Sequence, residues 1–346
     1  MAVAAPNTVV SHASRERFTL EWVSKGGLLA GMVAALFVAT ATASSGSAGS
    51  GATGTLAFTR YVPTTRQIWV VRADGADPHR LIGSSLVEED PALSPNGTKL
   101  AFIRDARGDT CQVAPSGDPI CQWPSGDRNQ TAAIFVVSAD GGDLTQITPY
   151  LPFLSSPAWS PDGTRIAYSA TLPGRYFPTP HIFIVGLASG STPQRVTALP
   201  EVSTTPIWFP NGKALLVTRG EGEAELVKIP LTTGQQTQVI ADTKSLSPDP
   251  AISTDGTRIA WSQESGHYHD DLWVANADGS DARIVVTGSQ GNVIDPAFSP
   301  DGSHIAFVRA TGDPDAGSIW TVETNGTNPV RVTPAGWWDE TPSWRE

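Results

Sequence analysis

From residue 55 onward, short apolar runs alternate with turn residues. IWVV (68–71), IFVV (134–137), LWVA (272–275) and IWTV (319–322) are rich in β-branched and aromatic side chains. Runs of this length and composition predict half-buried strands with a period of two. Asp-Gly, Asn-Gly and Pro-Asp-Gly stand between them. These are turn chemistry: Pro presets φ, and Gly supplies the positive φ of a tight hairpin. The pattern predicts an all-β chain of many short hairpins.

The runs belong to a repeat. One phrase occurs as DPALSPNGTKLAF (90–102), SPAWSPDGTRIAY (156–168), TPIWFPNGKALLV (205–217), DPAISTDGTRIAW (249–261) and DPAFSPDGSHIAF (295–307), with a final fragment TPSW (341–344). Its first proline falls at Pro91, Pro157, Pro206, Pro250, Pro296 and Pro342, in steps of 66, 49, 44, 46 and 46. A second phrase follows each copy, as in DLWVANADG (271–279), and lies upstream as IWVVRADG (68–75) after TLAFTR (55–60). Together the phrases read strand, turn, strand, variable loop, strand, turn, strand. A lone four-stranded sheet with two apolar faces is not stable; radial stacking of copies covers both faces.

The N-terminal copy lacks its first strand, and the C-terminal copy consists of that strand alone. Shared between them, a sixth blade closes the ring and removes open sheet edges. Residues 54–346 then supply about 49 residues per blade, a propeller period. The expectation is a six-bladed β-propeller of four-stranded antiparallel blades, closed by pairing of its N- and C-terminal strands.

The repeated SPDGT-x-IAF followed by IWV-x-x-ADG resembles the WD40-like (PD40) repeat of TolB-like propellers, over nearly all of residues 54–346. The resemblance implies a TolB-type propeller fold. TolB itself carries an α/β domain before its propeller, where this chain shows another kind of segment. Similar propellers also gate prolyl-oligopeptidase-type peptidases, but no hydrolase domain is expected after the closing strand.

Residues 1–25 are polar and hold Arg15, Arg17 and Lys25; residues 26–43 run 18 positions without charge; residues 44–53 form a Gly/Ser linker. This order predicts a signal peptide, with Ala41-Thr42-Ala43 as its cleavage site, or an uncleaved membrane anchor that leaves the propeller outside. The propeller is expected to be periplasmic, cell-surface or secreted, touching the membrane only through that N-terminal helix. In an exported chain, Cys111 and Cys121 are expected to form a disulfide.

The net charge is −11, and 20 basic against 32 acidic residues remain once residues 1–53 are set aside. With no basic stripe, nucleic-acid binding is not expected. The starts of four innermost strands carry acids: Glu88, Glu89, Asp90, Asp249, Asp295, Asp339 and Glu340. If they converge on one mouth of the central channel, they would attract a basic peptide or a cation such as calcium. Alternatively, each Asp caps its own turn. Other candidates at the mouth are the pair Trp337-Trp338, as an anchor or a plug, and Trp123 in the long cysteine loop. The Asp-Gly pairs read as turns, and the recurring tryptophans as core between blades. In HYHDD (267–271), His267 and His269 share a strand face, as a metal pair would, but no third ligand is evident. No Gly-x-Ser-x-Gly elbow, P-loop or dinucleotide fingerprint occurs.

These features lead to a monomeric module, without a cofactor, that binds a protein or peptide segment on its loop face. The alternative is a glycan-acting lyase or hydrolase using the acidic funnel. A third reading is a sensor held by its N-terminal helix.

Overall fold

The computed structural model describes residues 52–346, apart from 63–64, 106–109, 114–118, 123–131, 172–178, 189, 199–200, 221–222, 233–236, 244–248, 266–268 and 312–316. The signal or anchor expected at 26–43, Trp123 and His267 lie outside the described residues, as does nearly all of the linker. Among the described residues no helix is long and apolar enough to cross a membrane.

Six four-stranded antiparallel sheets make the blades of a propeller. Their innermost strands, blades 1 to 6, are Trp338–Arg345, Glu88–Leu93, Ser155–Trp159, Ser203–Trp208, Ala251–Ile252 and Asn292–Phe298. Blade 1 joins the two ends of this unit. Its innermost strand Trp338–Arg345 pairs antiparallel with Thr55–Val62, so that Thr55 faces Arg345 and Tyr61 faces Trp338. The long connection in blade 2 carries an additional hairpin, Thr110–Val113 with Pro119–Gln122, whose register sets Cys111 opposite Cys121.

Alternation along the strands sends apolar side chains to both faces of each blade, and every face meets a neighbour. Among the described residues six buried clusters result, one at each blade junction. Between blades 2 and 3, for example, Ile103 and Ile134 pack against Trp159, Ile166 and Tyr168. The tryptophans repeat one device. Trp159 Nε1 donates to the Ala92 carbonyl (2.8 Å), Trp208 Nε1 to the Ala158 carbonyl (3.1 Å) and Trp344 Nε1 to the Thr53 carbonyl (2.9 Å). For Trp159 and Trp208 the acceptor lies on the preceding blade. Each indole thus buries its ring and satisfies its one donor.

The Asp-Gly pairs are turn residues. Ser160 Oγ and the Thr164 N–H both donate to Asp162 Oδ1, and Gly163 takes the positive φ (68°) that the turn requires. These donors hold the Asp162 carboxyl down at about 2, and Ser299 does the same for Asp301. Asn96-Gly97-Thr98, which also matches the Asn-x-Thr glycosylation acceptor, occupies the equivalent turn, with the Thr98 N–H and Oγ1 on Asn96 Oδ1.

A further regularity lies at the Pro of five innermost strands, those of every blade but the fifth. The residue before it has φ near +50°: 50° at Asp90, 53° at Ser156, 46° at Thr205, 53° at Asp295 and 50° at Thr341. The strand register shifts at each of these five places. Pro lacks the N–H that a regular ladder would use, and a bulge accommodates the loss. The left-handed backbone costs about 1–3 kcal/mol at a non-glycine residue, so surrounding contacts must hold it. Those contacts form the floor of the candidate site.

Candidate functional site

The innermost strands start at the same end of the propeller as the connections between second and third strands, because Glu88 pairs with Arg104 and Asp339 with Arg60 at the ends of those second strands. Of the acids singled out from the sequence, Glu89, Glu340 and Asp295 lie close enough to act on the charge of Asp90. Burial first, then charge repulsion from Glu89, and more weakly from Glu340 and Asp295, push the Asp90 carboxyl up to about 7.

The carboxylates are held chiefly by neighbouring strands and blades. Asp90 Oδ2 accepts the backbone N–H of Ser156 in blade 3 (3.1 Å), and Asp295 Oδ2 accepts that of Thr341 in blade 1 (2.9 Å). Thr59 Oγ1 accepts the Asp90 N–H (3.2 Å) and lies 2.9 Å from Thr341 Oγ1. From blade 6 through blade 1 and blade 2 to blade 3, each pre-proline N–H is therefore bound from the preceding blade. That support steadies the left-handed residues. The local-cap alternative is corrected for Asp90 and Asp295: their acceptors reach across a blade junction. Asp249 occupies the equivalent place in blade 5, half-buried.

The remaining acids are paired. Glu88, wholly buried, binds Arg104 (2.5 Å), and Asp339, equally buried, binds Arg60 through both oxygens (2.6 and 2.7 Å). Burial raises the Asp339 carboxyl despite the opposing pull of Arg60. Glu89 forms an ion pair with Arg66 across the junction of blades 1 and 2. Burial alone would lower the Arg66 guanidinium, but Glu89, Tyr61 and Glu340 more than reverse it. Glu340 accepts from Tyr61 Oη (2.9 Å) and Trp338 Nε1 (3.2 Å).

The tryptophan pair divides. Trp338 is half-buried and its ring lies over Gly317, where a Cβ would come within 2.9 Å of it. Trp337 is 39% exposed and lies 5.5 Å from the Arg60 guanidinium, measured to the ring centroid. It joins Leu144, Val239 and Ile284 as the exposed large hydrophobic side chains among the described residues, and of these it stands at the acidic end. Asp271 of the HYHDD stretch is buried and accepts the Gly288 N–H (2.7 Å), while His269 Nδ1 lies 3.3 Å from Asn292 Oδ1. Among the described residues no group of three His, Cys, Asp or Glu side chains forms a metal-binding cluster.

Sequence reasoning missed the arginines. Arg60, Arg104 and Arg309 each follow the repeat's aromatic by two positions and lie over it and over its cross-strand partner: Phe58 and Trp69, Phe102 and Phe135, Phe307 and Trp320. Their recurrence in LAFTR, LAFIR and IAFVR was the available signal.

Comparison with known proteins agrees with this architecture. Residues 114–281 match a family model described as PD40, the TolB beta propeller domain. The Tol-Pal system protein TolB of Anaeromyxobacter dehalogenans is 32% identical over 129 residues, 37% of this chain and 28% of that protein. An uncharacterised peptidase of Bacillus subtilis is 26% identical over 229 residues, 66% of this chain and 30% of that protein. The chain thus spans less than a third of the length of these curated relatives. Among solved structures, TolB from Acinetobacter baumannii superposes with a TM-score of 0.63 at 19% identity, covering 84% of this chain and 66% of that one. At that identity the likeness concerns the fold.

Proposed function

Starting from a chain whose residues 114–281 carry the TolB-type propeller domain, we propose that it is an exported docking module that binds a protein or peptide segment at its acidic end. The observation that carries this reading is Trp337. It is an exposed indole beside a guanidinium that is itself locked to Asp339. A large aromatic on a rigid frame is the usual centre of an interface, because its area is buried at little entropic cost. The acids around it are largely occupied with internal donors, so the end is rigid and need not reorganise on binding.

Export rests on the charge-free stretch at 26–43 after a basic flank. Cell fractionation with N-terminal sequencing tests it: a chain found outside the cytoplasm, starting near residue 44 or retained in the membrane, supports export, and an intact cytoplasmic chain opposes it. Docking is tested by capture from envelope extract with the full chain and with Trp337→Ala side by side. A partner held by the native chain and lost from the variant supports the reading. A partner held equally by both moves the interface elsewhere.

A further inference from the structure

Four blades place an arginine at the same point, near the end of the second strand: Arg60, Arg104, Arg219 and Arg309. On the innermost strand the residues opposite are Asp339, Glu88, Ser203 and Val293. Arg60 and Arg104 bind the acid opposite. Arg219, facing a serine, binds Glu225 on its other neighbouring strand instead (2.7 Å). Arg309 has neither option. Val293 is wholly buried on one side and Ser318 lies on the other. No acid among the described residues forms an ion pair with Arg309, and its Nε–H is buried without an acceptor.

The guanidinium is nevertheless held like its counterparts. Arg309 Cζ lies 5.6 Å from the Phe307 ring centroid and 5.0 Å from that of Trp320; for Arg104 the distances to Phe102 and Phe135 are 5.2 and 4.9 Å. Aromatic faces orient a cation without neutralising it. Burial lowers the Arg309 pKa with no opposing charge to restore it, yet a guanidinium stays protonated at any physiological pH. A fixed planar fork with an idle donor matches the geometry of a carboxylate.

We propose that Arg309 receives a carboxylate of the docked segment, taking in blade 6 the role that Asp339 and Glu88 take in blades 1 and 2. The inference rests on the docking reading and gives the partner a chemistry: an acidic side chain or a free C-terminus, seated on the arginine.

The test uses the full chain labelled with 15N-arginine, in which the Arg309 Nε–H resonance is identified by its loss in Arg309→Gln. Three acetylated alanine-rich pentapeptides are added: one amidated with a central glutamate, one with a free C-terminus, and one amidated without any carboxylate. A saturable downfield shift with either carboxylate peptide and none with the neutral one is expected. Binding should be at least tenfold weaker in Arg309→Gln. Val293→Glu supplies the acid that blades 1 and 2 possess, so it should move the resonance before any peptide is added and abolish the response. No shift with either carboxylate peptide, or an equal shift with the neutral one, overturns the proposal. If Trp337-dependent capture survives while neither peptide moves Arg309, the carboxylate receptor falls and docking stands. If a carboxylate peptide binds Arg309 while no partner is captured, the receptor stands and the docking reading falls.

Discussion

The Asp90 carboxylate accepts the backbone N–H of Ser156, 3.1 Å away and one blade further round the ring. Both residues sit before a proline with φ at 50° and 53°, so the bond joins two strained positions across a blade junction. It also explains why burial and repulsion can raise Asp90 to about 7 without displacing it: an uncharged carboxyl still accepts through its carbonyl oxygen.

The contact sets a pH dependence. Asp90 has a folded pKa of about 7 against an ordinary 3.8. Between those values the folded chain keeps a proton that the unfolded chain has released, so this group lowers stability as pH rises through the window and levels off above it. Asp90→Asn retains an acceptor and has no proton to lose. Its urea midpoint should therefore hold steady from about pH 4 to 7 relative to the native chain, whose midpoint declines. Asp90→Ala removes the acceptor and should cost about 1–3 kcal/mol, by the same unfolding measurement at about pH 5.

Trp344 is 1% exposed and holds the Thr53 carbonyl, fastening the last strand to the start of the unit. Trp344→Ala should destabilise by about 3–5 kcal/mol, since it opens a cavity and leaves that carbonyl unbound. Trp337→Ala, at an exposed ring, should change stability by less than about 0.5 kcal/mol. Thermal or urea melts of the two variants check the contrast.

At the acidic end Glu88, Glu89, Asp90, Asp295, Asp339 and Glu340 are committed to Arg60, Arg66, Arg104, Tyr61 and two backbone N–H groups. Calcium would have to displace these donors before it could bind. Millimolar calcium is therefore expected to leave the melting temperature unchanged. A rise that saturates with calcium and disappears in Asp90→Asn or Asp295→Asn would show instead that the acids form a metal site.

Cys111 and Cys121 face each other in the register of their hairpin. Export to an oxidising compartment, as proposed, predicts a disulfide between them. Intact mass under non-reducing alkylation checks it: neither thiol should be labelled until a reductant is added, when both should be.

The blades were legible because each repeat states its own hydrogen bonding. SPDGT fixes a turn through Ser160, Asp162 and Thr164, all within five residues. Closure was legible as well, because TPSW at 341–344 is a strand without a sheet and TLAFTR at 55–60 a sheet without its first strand. The acids were legible as a group at one end, but their partners were not. Asp90 meets Ser156, 66 positions away, and Arg60 meets Asp339, 279 positions away; such pairs follow from ring geometry and not from spacing. The idle Arg309 shows only when four registers are compared, because the decisive residue, Val293, is one buried apolar residue among many and is marked out only by standing where blades 1 and 2 carry Asp339 and Glu88.

The contacts that blade 1 makes at the acidic end depend on a shut ring, in which Trp338–Arg345 pairs with Thr55–Val62. Amide hydrogen exchange of the native chain, read by mass spectrometry, tests this most directly. Peptides covering 55–62 and 338–345 should exchange as slowly as the interior strand Lys99–Asp105. Rapid exchange of both segments, with the other five blades still protected, would mean that the ring is open and that the acidic end does not exist as described.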